Sequence, residues 1–200
     1  MRWDNLFDDL ESQLEQELTA EEVDQRAEEE RLRLGRLSLR DRILSLHEAR
    51  GRAVDWTLRL QLVTGVAITV RPATFGRDWF SADLIDGSQR GAQCIVPLAA
   101  IAGVQLDRAD IPPSLDGVPG EVSGRSLAAR LSLPFVLRDL CRRRAEVELW
   151  TAAGRLSGTI DRVGRDHLDL AVHDAGTPRR ESVVSGYQLV PLAQLLLVRV

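Results

Sequence analysis

Gly76-Arg77-Asp78 recurs as Gly164-Arg165-Asp166, and Val96-Pro97-Leu98-Ala99 recurs as Val190-Pro191-Leu192-Ala193. The first pair is offset by 88 residues and the second by 94, so the second copy carries six extra residues in the hairpin between its two matches. Both matches occupy the same place in a run of short apolar segments, so they mark one internal duplication. Two repeats of about 50 residues suit a pair of small β units, since a stacked solenoid generally needs at least about three.

The surrounding residues have the period of strands. Leu58, Leu60 and Leu62 alternate with Arg59 and Gln61, as in a strand with one face buried. Segments 66–70, 79–85, 95–101 and a last run to Leu106 follow, with Gly76 and Asp86-Gly87 as turn signals. A second set runs from Val147 to Val200. The expected fold class is therefore α+β: a tandem repeat of two five-stranded small β-barrels, with an N-terminal helical arm and a helix between the barrels. The expected boundaries are 1–50 for the arm and a short helix, 51–106 for the first barrel and 107–125 for a linker rich in Pro, Gly, Ser and Asp. A bridging helix over 126–145 and the second barrel over 146–200 complete the chain.

The second unit, with Val147-Glu148-Leu149, Gly154, Gly158-Thr159-Ile160-Asp161, Val163, Leu168, Leu170 and Val190-Pro191-Leu192, resembles the Sm-like or SH3-like five-stranded barrel. Its Pro-Leu-Ala step is similar to the short turn joining the last two strands of that fold. The Trp3-Asp4-x-Leu6-Phe7 start and the stretch from Asp161 to Ala171 also resemble a group of actinobacterial proteins of uncharacterised function. The resemblance implies a fold and a soluble location, and no activity. Sm proteins that bind RNA usually carry Asp-x-x-x-Asn and Arg-Gly motifs. Here Asp166-His167-Leu168-Asp169 and Ala193-Gln194 stand in the corresponding stretches, so uridine recognition does not carry over.

Charge is divided unevenly along the 200 residues. All 26 basic residues are Arg; residues 1–30 hold 2 of them against 12 acids, leaving 24 Arg against 18 acids in the remainder. An acidic arm thus precedes a mildly basic body. In the arm, Trp3, Leu6, Phe7, Leu10, Leu14 and Leu18 recur at three- and four-residue steps and form one helical stripe. Thr19 with Glu22 has capping-box spacing for a helix to about Leu34, and Ser38 with Asp41 has it for a second, ending near Gly51. Ser132 is placed to cap a helix with Pro134 in its first turn, burying Leu133, Val136, Leu137, Leu140 and Cys141.

The candidate partner-binding residues are Trp3, Leu6, Phe7, Leu10 and Leu14, with the two aromatic side chains as anchors for a protein groove. Candidate nucleic-acid or anion contacts are Arg77, Arg138, Arg142, Arg143, Arg165, Arg179 and Arg180. The chain is only 4% aromatic, with none of these rings inside the Arg clusters, which argues against base-stacking readout. Asp166, His167, Asp169 and His173 form a polar cluster, with His167, Asp169 and His173 expected on the outward face of one strand. Six residues of extended chain separate the two histidines by roughly 20 Å, so no metal site is expected. The sequence has no Gly-x-Ser-x-Gly elbow, phosphate-cradling Gly-rich loop or His-Glu-x-x-His pair. Cys94 and Cys141 sit in apolar stretches, as buried thiols do.

These features point to a non-catalytic binding or adaptor protein without a cofactor, docking a protein partner through its N-terminal helix. The alternative is a nucleic-acid-associated regulatory protein using the Arg-rich body, and metal-dependent activity at His167 and Asp169 is the third reading. No apolar run approaches the roughly 18 residues of a membrane span, and the start Met1-Arg2-Trp3-Asp4 is unlike a secretory leader, so a cytoplasmic location is expected.

Overall fold

The computed structural model describes residues 22–50, 56–85, 92–117 and 127–200. The chain divides into two compact units, Met1–Ser38 and Leu39–Val200. In the first, residues 22–36 form helix α1, whose side chains are exposed throughout. Its charges pair along the helix: Arg26 with Glu22 at 3.2 Å, Arg31 with Glu28 at 2.8 Å and Arg33 with Glu30 at 2.6 Å. Such solvated pairs contribute little to stability. The expected docking stripe, Trp3 to Leu14, lies outside the described residues.

The second unit is α+β. Helix α2 (Leu39–Arg50) leads into strands β1 (Leu58–Leu62), β2 (Ala67–Phe75), β3 (Trp79–Leu84), β4 (Ala92–Pro97) and β5 (Ile101–Gln105). A short helix α3 (Ile111–Leu115) follows, then helix α4 (Leu133–Arg142) and strands β6 (Glu146–Thr151), β7 (Gly154–Val163), β8 (His167–Val172), β9 (Gly186–Pro191) and β10 (Leu195–Arg199). All strand pairs are antiparallel, in the order β5-β1-β2-β3-β4-β10-β6-β7-β8-β9.

Each half of this sheet repeats one pattern, with its first strand between its second and its last. The expectation of two closed barrels is nevertheless corrected. The outer edge of β4 is taken by β10, through Val198 opposite Ile95 and Arg199 opposite Cys94, so the halves join edge to edge in one open ten-stranded sheet.

The duplication extends to backbone detail. Pro97 and Pro191 have nearly equal dihedrals (φ −65°, ψ 134° and φ −63°, ψ 133°), and each precedes a single 3₁₀ turn, Leu98–Ala100 or Leu192–Gln194. Gly76 N donates to Trp79 O and Gly164 N to His167 O, both at 2.8 Å. Leu98 N donates to Asp78 O at 3.0 Å and Leu192 N to Asp166 O at 2.8 Å. The glycines are required by close approach. A Cβ on Gly76 would lie 2.1 Å from the Trp79 indole nitrogen, and one on Gly164 would lie 2.6 Å from the His167 ring.

Two cores fill the unit, and they exchange residues at the join. One gathers Leu58, Leu60, Val70, Phe80 and Val96 from the first half together with Leu196 and Leu197 of β10. The other gathers Leu137, Leu149, Ile160 and Leu170 from the second half together with Trp79 and Ile95 of the first. Strand β10 therefore serves both. The stretch expected as a linker is partly ordered: Pro112 and Pro113 lie in the first turn of α3, where a missing amide costs nothing. Arg42 donates to Ser114 Oγ at 2.8 Å, and Arg50 pairs with Asp110, tying α3 to α2.

His47 on α2 lies against the rings of Phe75 and Trp56, with centroids 5.4 and 6.2 Å away. Burial pulls its pKa below the ordinary imidazole value, with Glu48 opposing. The unfolded chain therefore takes up the proton first. Stability from this site is complete above the unfolded value of about 6.5 and falls as pH drops through the folded one. Equilibrium denaturation across that range should show a shallower decline in His47→Gln than in the wild type. Leu197→Ala should cost about 2–5 kcal/mol. Because β10 holds both halves, circular dichroism and tryptophan fluorescence should still report one coincident unfolding transition.

Candidate functional site

The two Gly-Arg-Asp steps are turns entering β3 and β8, and the structure gives the first a defined task. Arg77 N and Trp79 Nε1 both donate to Leu131 O, at 2.9 and 3.0 Å, and Asp78 Oδ1 accepts from Leu133 N at 2.8 Å. These bonds hold the N-terminus of α4, whose first amides have no acceptor within the helix. Ser132 occupies the cap position with extended backbone (φ −85°, ψ 160°), but its side chain makes no capping bond. Asp78 replaces it, because a carboxylate is a stronger acceptor and is favoured at the positive end of the helix dipole.

The clamped segment is Arg130-Leu131-Ser132-Leu133, and Arg36-Leu37-Ser38-Leu39 precedes α2 in the same way. The offset is again 94, a signal present in the sequence and missed by reading only the strand segments. Each following helix also sends one arginine to its own half's turn: Arg40 Nε donates to Gly76 O at 2.7 Å and Arg138 Nη2 to Gly164 O at 3.1 Å. The duplicated element is thus a helix followed by five strands.

At the second turn, Asp166 Oδ1 accepts from His167 Nδ1 at 2.8 Å, an exposed contact. The hydrogen bond to His167 holds the Asp166 carboxyl below its ordinary range. Asp169 faces Arg162 at 3.6 Å. His173, expected outside, is corrected to a buried position with 3% exposure. The alternation breaks inside β8, where Ala171 is buried and Val172 half-buried, so the next side chain is buried as well. His173 N donates to Ser157 O at 3.1 Å. Its ring lies 3.1 Å from Asp174 O through Nδ1 and 2.9 Å from Thr159 Oγ1 through Nε2. A neutral imidazole satisfies both by donating to the carbonyl and accepting from the hydroxyl. The four expected members of the polar cluster therefore divide into three separate contacts.

Several expected anion contacts are engaged within the protein. Arg142 and Arg143 share Asp139, at 2.6 and 2.7 Å, and Arg179 pairs with Asp161 at 2.6 Å. Arg77, Arg142, Arg143, Arg165 and Arg180 are exposed. Burial pushes the Cys94 thiol up to about 12, and Cys141 Sγ lies 3.3 Å from the Asp161 carbonyl, so both sulfurs are structural.

On the outer part of the sheet, β7, β8 and β9 form an open groove of about 590 Å³. Its floor and walls include the Arg179–Asp161 pair, Arg162, Asp169, Tyr187 and Leu189. Tyr187 and Leu189 on β9 are 63% and 65% exposed. Strand β9 ends the sheet order, so the groove runs beside an edge with no neighbouring strand among the described residues.

Comparison with protein-family models, curated proteins and solved structures found no match. Among the described residues, no helix is long and apolar enough to cross a membrane. The clamp makes an asymmetric expectation: Asp78→Ala should cost about 1–2 kcal/mol by removing the α4 cap. Asp166→Ala, at the matching position of the second half, should leave thermal stability near wild type. Parallel thermal melts of the two variants check this.

Proposed function

We propose that this is a non-catalytic binding protein, made of two tandem Sm-like or SH3-like modules and recruiting a protein partner along the open β9 edge. The observation that carries the reading is the pair Tyr187 and Leu189, two large side chains exposed beside a groove on an unpaired strand. Such an edge presents backbone donors and acceptors for an added strand, and the alternating side chains beside it give selectivity. The strand order of each half, with its first strand between its second and its last, and the Pro-Leu-Ala turn into its last strand support the small-module reading. The apolar anchors Trp3 and Phe7 of the acidic arm supply a second docking element.

Absence of catalysis is read from the chemistry of the candidates. His173 is buried against Thr159, and Cys94 is a thiol held far from its reactive form. The nucleic-acid reading draws on Arg77, Arg142, Arg143, Arg165 and Arg180, which are exposed, although Arg142 and Arg143 share the Asp139 carboxylate and Arg179 is paired with Asp161. What remains suits weak, salt-sensitive phosphate contact without sequence preference.

Affinity capture from the native cell, with and without nuclease, tests the reading. A partner that survives nuclease, and is lost when Leu189→Arg replaces the wild-type bait, is the expected result. Material lost on nuclease treatment and unaffected by Leu189→Arg would favour the nucleic-acid reading instead.

A further inference from the structure

We infer that the groove on β7, β8 and β9 is a binding site for a small zwitterion, an α-amino acid with an apolar side chain. The site adjoins the β9 edge and needs no partner seated on that edge. The duplicated half supplies its internal reference. With offsets of 88 before the insertion and 94 after it, the groove residues Asp161, Arg162, Asp169, Tyr187 and Leu189 correspond to Ala73, Thr74, Ser81, Gln93 and Ile95. Strand register agrees: Arg162 faces Asp169 as Thr74 faces Ser81, each just past a break in register at Asp161 or Ala73. Arg179 belongs to the β8–β9 connection, residues 173–185, which carries the six extra residues of the second copy.

In the first half these positions are satisfied within the protein. Thr74 N donates to Ser81 Oγ at 3.1 Å, and Ile95 is buried in the second core. In the second half the same positions carry charge. Neighbours on a strand ordinarily point to opposite faces, but the break in register lets Asp161 and Arg162 line one groove. Asp161 is engaged by Arg179 at 2.6 Å, which ties the β8–β9 connection to β7. Arg162 and Asp169 are held less firmly. They lie 3.6 Å apart, beyond hydrogen-bond length, and neither side chain makes a hydrogen bond to another described residue. The Arg162 side chain is 85% exposed and that of Asp169 29%, so a carboxylate sits in the groove while its guanidinium partner stands in solvent.

This pattern of charge selects the ligand. A phosphate or simple carboxylate drawn to Arg162 meets Asp169 beside it, and a simple amine drawn to Asp169 meets Arg162. Each gains one attraction and suffers one repulsion. A molecule with both charges on one carbon gains twice: its carboxylate accepts from Arg162 while its ammonium donates to Asp169, and two charged hydrogen bonds replace one loose ion pair. Leu189 lies opposite Asp169, and Tyr187 is two residues along β9 on the same face. An apolar side chain on that same carbon therefore rests against aliphatic and aromatic surface that is otherwise exposed. The groove's volume of about 590 Å³ falls within the range of small-molecule sites.

Heteronuclear NMR titration of the purified, isotope-labelled full-length chain near neutral pH tests this. The probes are L-leucine and L-phenylalanine, with N-acetyl-L-leucine as the anion alone and L-leucine amide as the cation alone. Both amino acids should shift the amides of Asp161, Arg162, Asp169 and residues 187–189. The two single-charge derivatives should bind at least about tenfold more weakly, since each loses a charged hydrogen bond and keeps a repulsion. Asp169→Asn and Arg162→Gln should each weaken L-leucine by a similar factor. Their preferences should cross: Asp169→Asn should bind N-acetyl-L-leucine more tightly than the wild type does, and Arg162→Gln should do so for L-leucine amide. A merely structural role for either residue would weaken all probes alike.

Absence of these shifts at millimolar amino acid overturns the inference, as does a single-charge derivative that binds as tightly as L-leucine. Variants that bind L-leucine like the wild type, or that weaken every probe equally, also overturn it. The titration uses the chain alone, so its failure leaves the partner reading at the β9 edge to the capture experiment, and loss of that partner leaves the zwitterion site standing.

Discussion

The pairing of β10 with β4 is the constraint on which the rest of the architecture depends. It gives β4 a neighbour, places Leu196 and Leu197 in the first core and puts Ile95 into the second. Backbone hydrogen bonding and apolar burial are thus coupled at one seam. Loss of the pairing would expose an edge on each half and uncover side chains from both cores together. The clamp at the start of α4 reinforces the seam from the side, since Asp78 and Trp79 belong to the first half and Leu131 and Leu133 to the second.

Divergence between the two copies is concentrated where their surroundings differ. Trp79 and His167 hold equivalent places over equivalent glycines, yet the tryptophan is buried in the second core and the histidine is half-buried beside an exposed aspartate. A large apolar ring is favoured where it fills a packed interior, and a smaller polar ring where water reaches it. Asp78 and Asp166 are the same residue with different partners, one a helix amide and the other a neighbouring side chain. Local sequence fixes the turn in both cases; the environment decides what the turn holds.

Much of the architecture was legible in the sequence because it rests on short-range patterns. Alternation at Leu58, Leu60 and Leu62 gave the buried face of β1, and the repeated Gly-Arg-Asp and Val-Pro-Leu-Ala steps gave equivalent turns. The joining of the halves was not legible, because it depends on which distant edge β10 meets, and nothing in Leu195–Arg199 taken alone distinguishes β4 from any other strand. The candidate site fared less well for a related reason. Period-two reading placed His173 outside, but the alternation breaks within β8 at Ala171 and Val172, and Thr159 supplies a partner fourteen residues away in sequence. The Arg residues were readable as charges, whereas the pairing of Arg142 and Arg143 with the one Asp139 depends on helix spacing, and that of Arg179 with Asp161 on tertiary packing.

The position of β10 also has a consequence for the order in which the molecule can be made. On a ribosome, β4 emerges about a hundred residues before the strand that will cover it, so the first half must wait with Ile95 and one side of its sheet uncovered. Pairings so distant in sequence are slow to find. During that interval, the strand best matched to β4 is the β10 of another copy that has left its ribosome. The same seam that makes the finished molecule cohesive therefore exposes its synthesis to exchange of the last strand between chains.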